Sequence, residues 1–402
     1  MYPDWPRSDA DLVPLPKCDG PKLKPFNFQG PQKIEFLEYL GEGTHAHVVK
    51  VKILGQIYAL KLFRFPFEEN WLSPTGERVW EDHEIMSAFY DYSEPFSCEC
   101  RAYGRLQEAG YEELAVRCYG YLLLDEEHER ALRTRFSDMR LEFDGNMDCC
   151  GGDEQRTLFL GRDGRAPPIR GIVKEFGLGL GDEENLRPAL ARKVLRDVVK
   201  LQQLGIIHID VGCRQIINDK LVDFSTAMTT PHFLMTPELN PRLTPEMISA
   251  MEYETFKVSV SDYLEFDDMM SDWNREHAAQ RGRISVNAFP GGRGCGMKHN
   301  LRSKAARERV YTFVDPRKYD WRRTYPVSVG ASGGKVTKTP PQLHARPPMW
   351  YYDCGGLLGA GGWISVVAER LGGPHAQDPM LDWMYKDGLI FPRLDDRWFL
   401  RF

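Results

Sequence analysis

His208-Ile209-Asp210-Val211-Gly212-Cys213-Arg214-Gln215-Ile216-Ile217-Asn218-Asp219-Lys220-Leu221-Val222-Asp223-Phe224-Ser225 is the stretch that decides how this 402-residue chain reads. Short apolar pieces, Ile206-Ile207, Ile216-Ile217 and Leu221-Val222, precede and interrupt it. Immediately upstream, Leu190, Val194, Val198 and Leu201 recur at helical spacing. Gly205 can end that helix in the left-handed conformation.

Farther toward the N-terminus the period changes to that of a sheet. Lys33–Leu40 roughly alternates and is broken by Gly41-Glu42-Gly43. His47–Ile53 alternates again, Leu54-Gly55-Gln56 turns, and Ile57–Phe63 follows, which predicts three strands joined by tight turns. A helix is expected over 97–109, a strand over 115–124, an insertion over about 125–166 and a buried strand over 169–176. Gly177-Leu178-Gly179 reads as a hinge. Downstream, Tyr263–His277 reads as an acidic helix, 281–346 as a loop-rich basic insertion, and 347–402 as an aromatic segment packed on the domain.

The order of these pieces resembles that of a protein kinase. Gly41-Glu42-Gly43-Thr44-His45-Ala46 resembles the glycine-rich loop, whose backbone amides approach phosphates. Ala59-Leu60-Lys61 resembles the strand that carries the phosphate-binding lysine, and the resemblance implies Glu99 as its ion-pair partner. His208-Ile209-Asp210 resembles the catalytic loop, and Asp223-Phe224-Ser225 the metal-binding D-F-G. The expected fold is therefore α+β and protein-kinase-like, two-lobed, with a β-sheet lobe first and a mainly helical lobe second. An arm is expected over 1–33, the first lobe over 34–178 and the second over 179–402.

The departures from that pattern carry information too. Ile209 replaces the usual arginine, Gly212 the lysine, Gln215 the metal-binding asparagine and Ser225 the glycine. A glutamine carries its amide on a longer stem, which is costly for a Mg²⁺ ion that demands near-ideal octahedral ligation. The wider strings Glu38–Gly43, Tyr58–Arg64, Cys98–Leu106 and Leu221–Ser225 resemble a fungal kinase-like family usually labelled by a kinetochore subunit. The fungal arginine-containing cyclodipeptide synthases look similar to that family.

Charge is unevenly spread. The chain carries −6 overall, yet 281–346 holds 15 Lys and Arg against Glu308, Asp315 and Asp320, a net +12 that leaves −18 for the rest. Phe289, Tyr311, Phe313, Tyr319, Trp321 and Tyr325 are interleaved with those cations. Such a mixture binds phosphate backbones and stacks bases, or it forms a solvated loop paired with the chain's own acidic face. The run Glu265-Phe266-Asp267-Asp268 with Asp272 reads either as a guanidinium site or as a solvated helix face. Nine cysteines without metal-ligand spacing read as reduced thiols. With no apolar run long enough for a membrane span and no basic-then-apolar start, a cytoplasmic location is expected, or a nuclear one for a kinetochore protein.

The resemblance to the synthases implies an enzyme that condenses arginine with a second amino acid, each delivered on its tRNA. It needs no cofactor, because each amino acid arrives as an activated ester. Asp210, Asp223, Glu99 and Lys61 are then the catalytic candidates, and Gly41, Gly43, Gln215 and Ser225 the substrate-binding ones. Arg302, Lys304, Arg307, Arg309, Arg322 and Arg323 are the candidates for tRNA. A covalent aminoacyl intermediate on Ser225 or Cys213 stays open, although Ser225 most simply stands for a glycine and Cys213 for a proline. Two alternatives remain. One is an atypical kinase, with ATP, a Mg²⁺ ion on Asp223 and Gln215, and Asp210 as base. The other is a pseudokinase scaffold.

Overall fold

The computed structural model describes residues 2–65, 90–139, 141–144, 155–179, 186–239, 245–288, 313–323, 327–328, 337–338, 341–343, 349–350, 382–386 and 389–393. The chain divides into two compact units, Met1–Leu178 with Asp223–Thr226, and Gly179–Val222 with Ala227–Phe402. Among the described residues the fold is mixed α+β with an N-terminal five-stranded antiparallel sheet.

In the first unit that sheet runs β1-β2-β3-β5-β4. β1 is Glu35–Glu42, β2 Ala46–Ile53, β3 Gln56–Phe63, β4 Cys118–Leu123 and β5 Arg170–Glu175. Alternation decides its two faces. Val49, Val51 and Ile53 of β2, with Tyr58, Leu60 and Leu62 of β3, join one apolar cluster with Phe26, Leu132, Phe136, Phe143 and Val173. Each such side chain, taken out of water, contributes roughly 1.5–3 kcal/mol. The opposite face carries Lys61 of β3 level with Ile172 of β5, and Ala59 level with Lys174. Arg170, Ile172 and Lys174 therefore line one face of the sheet.

Helix α1, Pro95–Ala109, covers that second face. It starts two residues earlier than the apolar spacing predicts, because the Glu94 side chain caps the Ser97 amide and Pro95 takes the first helical position. Gly110 ends it at φ 74. The expected strand at 115–124 is shorter, Cys118–Leu123, after a 3-10 turn at Glu112–Leu114. The expected insertion contains helix α2, Glu126–Arg135, capped by Asp125, and its Leu132 enters the core.

The arm is part of this unit. The Phe26 amide donates to the Tyr121 carbonyl at 2.7 Å, and the Tyr121 amide to the Lys24 carbonyl at 3.1 Å, so residues 24–26 extend the sheet along β4. The arm also crosses α1 so closely that a Cβ on Gly104 would lie 2.6–2.7 Å from the Lys22 backbone. Arg101 fixes the crossing by donating to the Asp19 carbonyl at 3.0 Å. Gly104→Ala should therefore cost about 2 kcal/mol in urea unfolding. The helix propensity of alanine would by itself add up to about 1 kcal/mol in the other direction.

In the second unit, α3 spans Pro188–Gln203 and buries Leu190, Ala191, Val194, Val198 and Leu201, as the helical spacing predicts. Ile206–Ile207 (β6) pairs with Met228–Thr229 (β9). Ile216–Ile217 (β7) pairs with Lys220–Leu221 (β8) across Asn218 and Asp219, at φ 51 and 60. Two such positive angles in a two-residue hairpin are the mark of a type I′ turn. The expected acidic helix at 263–277 is the C-terminal part of a longer one, α4, Pro245–Arg281. No described helix is long and apolar enough to cross a membrane.

Candidate active site

The first unit gathers four of the sequence candidates. Lys61 Nζ lies 2.7 Å from Glu99 Oε2 and 2.6 Å from Asp223 Oδ1. Lys174 Nζ closes on Glu99 Oε1, so two lysines and two carboxylates form a neutral set. Glu99 is fully buried, whereas the Asp223 side chain is 34% exposed. Burial opposes the charge on Lys61, but Asp223 and Glu99 outweigh it, and the amine titrates above the ordinary lysine value. Burial likewise opposes the charge on Asp223, yet Lys61 and Lys174 hold its carboxyl well below the usual carboxylate range.

Ser225 completes the group. Its hydroxyl donates to Asp223 Oδ1 at 2.6 Å and its amide to the same oxygen at 3.2 Å. Asp223 holds φ at 61, a left-handed conformation rarely adopted by a non-glycine residue. The two hydrogen bonds from Ser225 support it. On the other side of the hydroxyl stands His45, with Nδ1 3.0 Å from Ser225 Oγ.

His45 belongs to the turn between β1 and β2, which also holds Gly43, while Gly41 lies near the end of β1. Space is open around both glycines: a Cβ on either would meet nothing within 4 Å. The base of the turn is held by Arg64, which donates to the Gly43 carbonyl at 2.6 Å and to the Glu42 carboxylate at 2.7 Å.

The second unit holds the other catalytic candidate. Asp210 accepts from Arg214 Nη2 at 2.6 Å and from Gln215 Nε2 at 2.5 Å. Its loop is anchored by Asp262 of α4, which accepts the His208 amide at 3.1 Å and the Ile209 amide at 2.7 Å. Gln202 of α3 donates to the same carboxylate at 3.1 Å. These bonds hold Ile209 at φ 68, a costly angle for a β-branched side chain. Burial pushes the Asp262 carboxyl up, with His208 and the two amides opposing. His208 is buried. Its Nδ1 accepts the Asp210 amide at 3.3 Å, which assigns the proton to Nε2, 2.9 Å from the Val222 carbonyl.

Thus Lys61, Glu99, Asp223 and Ser225 come together in one unit, and Asp210 with Gln215 in the other. Cys213 follows Asp210 in the second unit, and Ser225 lies in the first. Of the basic candidates, Arg322 and Arg323 are exposed, and Arg322 stacks over Trp321 at 4.1 Å. Arg302, Lys304, Arg307 and Arg309 lie outside the described residues. The acidic run is divided: Asp267 is buried and accepts the Ala288 amide at 2.6 Å, and Asp272 pairs with Arg275. The described cysteines 18, 98, 100, 118 and 213 are free thiols, and no metal-type cluster occurs among the described residues.

Sequence reading missed Lys174, His45 and Asp262. Asp262 had a signal: it sits on the stripe Val258, Phe266, Met269 and Trp273 of α4, and an acid on a buried stripe needs internal donors. Comparison with known proteins supplies the family. No curated protein matches the chain. The family model described as kinetochore Sim4 complex subunit FTA2 matches residues 12–228, a span that holds Lys61, Glu99, Asp210, Asp223 and Ser225. That match covers more than half of the sequence, so the chain belongs to the FTA2 kinetochore Sim4 complex subunit family.

Proposed function

We propose that this family member has a kinase-like fold whose phosphoryl-transfer site now serves acyl transfer. In this reading it is a tRNA-dependent cyclodipeptide synthase that joins arginine to a second amino acid, both from aminoacyl-tRNAs. The observation that carries the reading is Ser225. Its hydroxyl and amide, together with Lys61, put three donors on Asp223 Oδ1, the carboxylate that a kinase would offer to Mg²⁺. The Gln215 amide likewise turns to Asp210, so both metal-type positions are committed to protein partners. What remains is a hydroxyl between a histidine and an aspartate, beside a buried ammonium. That inventory suits aminolysis of an ester, which needs positioning and proton transfer and no nucleotide.

The net +12 of residues 281–346 supports a polyanionic substrate. Each phosphate contact contributes about −0.7 to −0.9 to the slope of log affinity against log salt. Replacing Arg302, Lys304, Arg307 and Arg309 with alanine should therefore flatten the salt dependence of tRNA binding by roughly 3 units. An unchanged slope removes the segment from the substrate path. The activity itself is tested by expression in a heterologous host and mass spectrometry of the medium for arginine-containing cyclic dipeptides.

The family match favours a second reading, a non-catalytic subunit of a Sim4-type assembly with a nuclear location. In that case Lys61, Glu99 and Asp223 hold the fold together and nothing more. Co-purification with kinetochore proteins, with no cyclic dipeptide formed, supports it. Thermal stabilisation by ATP with Mg²⁺ points instead to an atypical kinase.

A further inference from the structure

We propose that Ser225 is an acyl-accepting nucleophile and that His45 is its base. The inference takes its natural substrate class, an activated aminoacyl ester, from the acyl-transfer reading above. Its chemistry rests on geometry within the first unit.

Ser225 Oγ has two polar neighbours, His45 Nδ1 at 3.0 Å and Asp223 Oδ1 at 2.6 Å. A hydroxyl has one proton to give. At rest the proton goes to Asp223, the charged acceptor; with His45 in its Nε2-protonated form, the hydroxyl can turn to the unprotonated Nδ1 3.0 Å away. Asp223 is a poor base, because Lys61 and Lys174 favour its ionised form. An imidazole has a pKa suited to taking a proton near neutral pH, so His45 is the group that can remove it. Lys61 Nζ and Ser225 Oγ each lie 2.6 Å from the same Asp223 oxygen, hence at most 5.2 Å apart. An ammonium at that range can stabilise negative charge developing beside Ser225.

The step balances without a further reagent. Ser225 Oγ forms a bond to the ester carbonyl carbon as its proton passes to His45 Nδ1. The tetrahedral adduct then breaks the bond to the alcohol oxygen, and His45 returns the proton to that leaving group. The acyl group stays on Ser225 until an amine attacks it. The new amide bond then releases Ser225 Oγ, and the proton lost by the amine restores the hydroxyl.

Access follows from the turn. Ser225 is only 5% exposed, and the residue that covers its hydroxyl with a hydrogen bond is His45. The space beside Gly41 and Gly43 is open, and the ester approaches from that side. The base therefore rides on the segment that admits the ester.

Diisopropyl fluorophosphate reports an activated serine with fluoride as leaving group and no need for tRNA. The whole chain should become labelled on Ser225, as located by peptide mass spectrometry. His45→Gln should slow the labelling by about 10²-fold or more. Ser225→Gly, which restores the kinase-type glycine, should abolish it while the thermal transition shows that the chain is folded. No label on Ser225, or an unchanged rate in His45→Gln, overturns the proposal. The two readings fail separately. Cyclic dipeptide formation that survives Ser225→Gly ends the nucleophile proposal and leaves the synthase. Labelled Ser225 without any cyclic dipeptide supports the nucleophile and ends the synthase.

Discussion

Replacing Arg170 with methionine should lower the unfolding free energy by about 3–5 kcal/mol, the cost of stripping one partner from a buried ion pair. Arg170 and Glu94 both have side chains fully removed from solvent, and Arg170 Nη1 meets Glu94 Oε1 at 2.5 Å. Burial pushes the Glu94 carboxyl up, and Arg170 is the strongest influence opposing it. Without the arginine, an isolated carboxylate would either stay charged in an apolar site or take up a proton, and either course costs stability. The guanidinium also lies 4.5 Å from the Phe65 ring centroid and 4.6 Å from that of Tyr2, a cation–π setting that methionine cannot reproduce in full. The double replacement Arg170→Met with Glu94→Gln separates the effects. It should recover a good part of the loss in urea unfolding, because the buried charge is gone. If the double variant is as unstable as the single one, the pair is not the source of the cost.

Lys61→Met should be the next most damaging change, about 3 kcal/mol, toward the lower end for a broken buried pair. Glu99 would keep Lys174, and the Asp223 side chain, 34% exposed, would gain water. The effect carries a pH signature. Asp223 titrates below its unfolded value, so the stability it contributes is present above about pH 4 and is lost as pH falls toward the folded value. Lys61 is the largest influence holding that carboxyl down. In Lys61→Met the acid-side decline in stability should therefore be shallower than in the native chain. Parallel urea titrations between pH 3 and pH 7, in steps of about half a unit, would read the difference. Equal slopes in both proteins would mean that Asp223 does not depend on Lys61.

How much of this was legible in the sequence depends on whether a residue's partner is local. Lys61, Glu99, Asp223 and Asp210 were recognisable because the motifs around them recur in a fixed order. The three N-terminal strands followed from alternation, and α3 from its apolar stripe at helical spacing. Lys174 was hidden, because its place beside Glu99 depends on the β3–β5 register that sets Ala59 level with it. Its one trace was the alternation of Arg170 and Lys174 through an otherwise apolar strand. His45 was hidden for a similar reason: 180 positions separate it from Ser225. The start of α4 was missed because Thr255, Val258, Ser259, Val260 and Ser261 give no clean helical period, although the helix runs from Pro245.

The family match and the site bear on different questions. The family takes its name from a kinetochore complex, whereas the side chains around Asp223 bear on chemistry. The Lys61–Glu99 pair and the Asp262-anchored loop are arrangements that the proposed kinase-like fold calls for. In the proposed reading Ser225 marks the departure from phosphoryl transfer, since its hydroxyl donates to the carboxylate beside the lysine.

The most direct measurement gives the purified chain arginyl-tRNA and a mixture of other aminoacyl-tRNAs, without ATP, and follows the products by mass spectrometry. An arginine-containing cyclic dipeptide accumulating together with deacylated tRNA is the expected result. Intact aminoacyl-tRNAs and no cyclic dipeptide, with transfer of the γ-phosphate once ATP and Mg²⁺ are added, would contradict it.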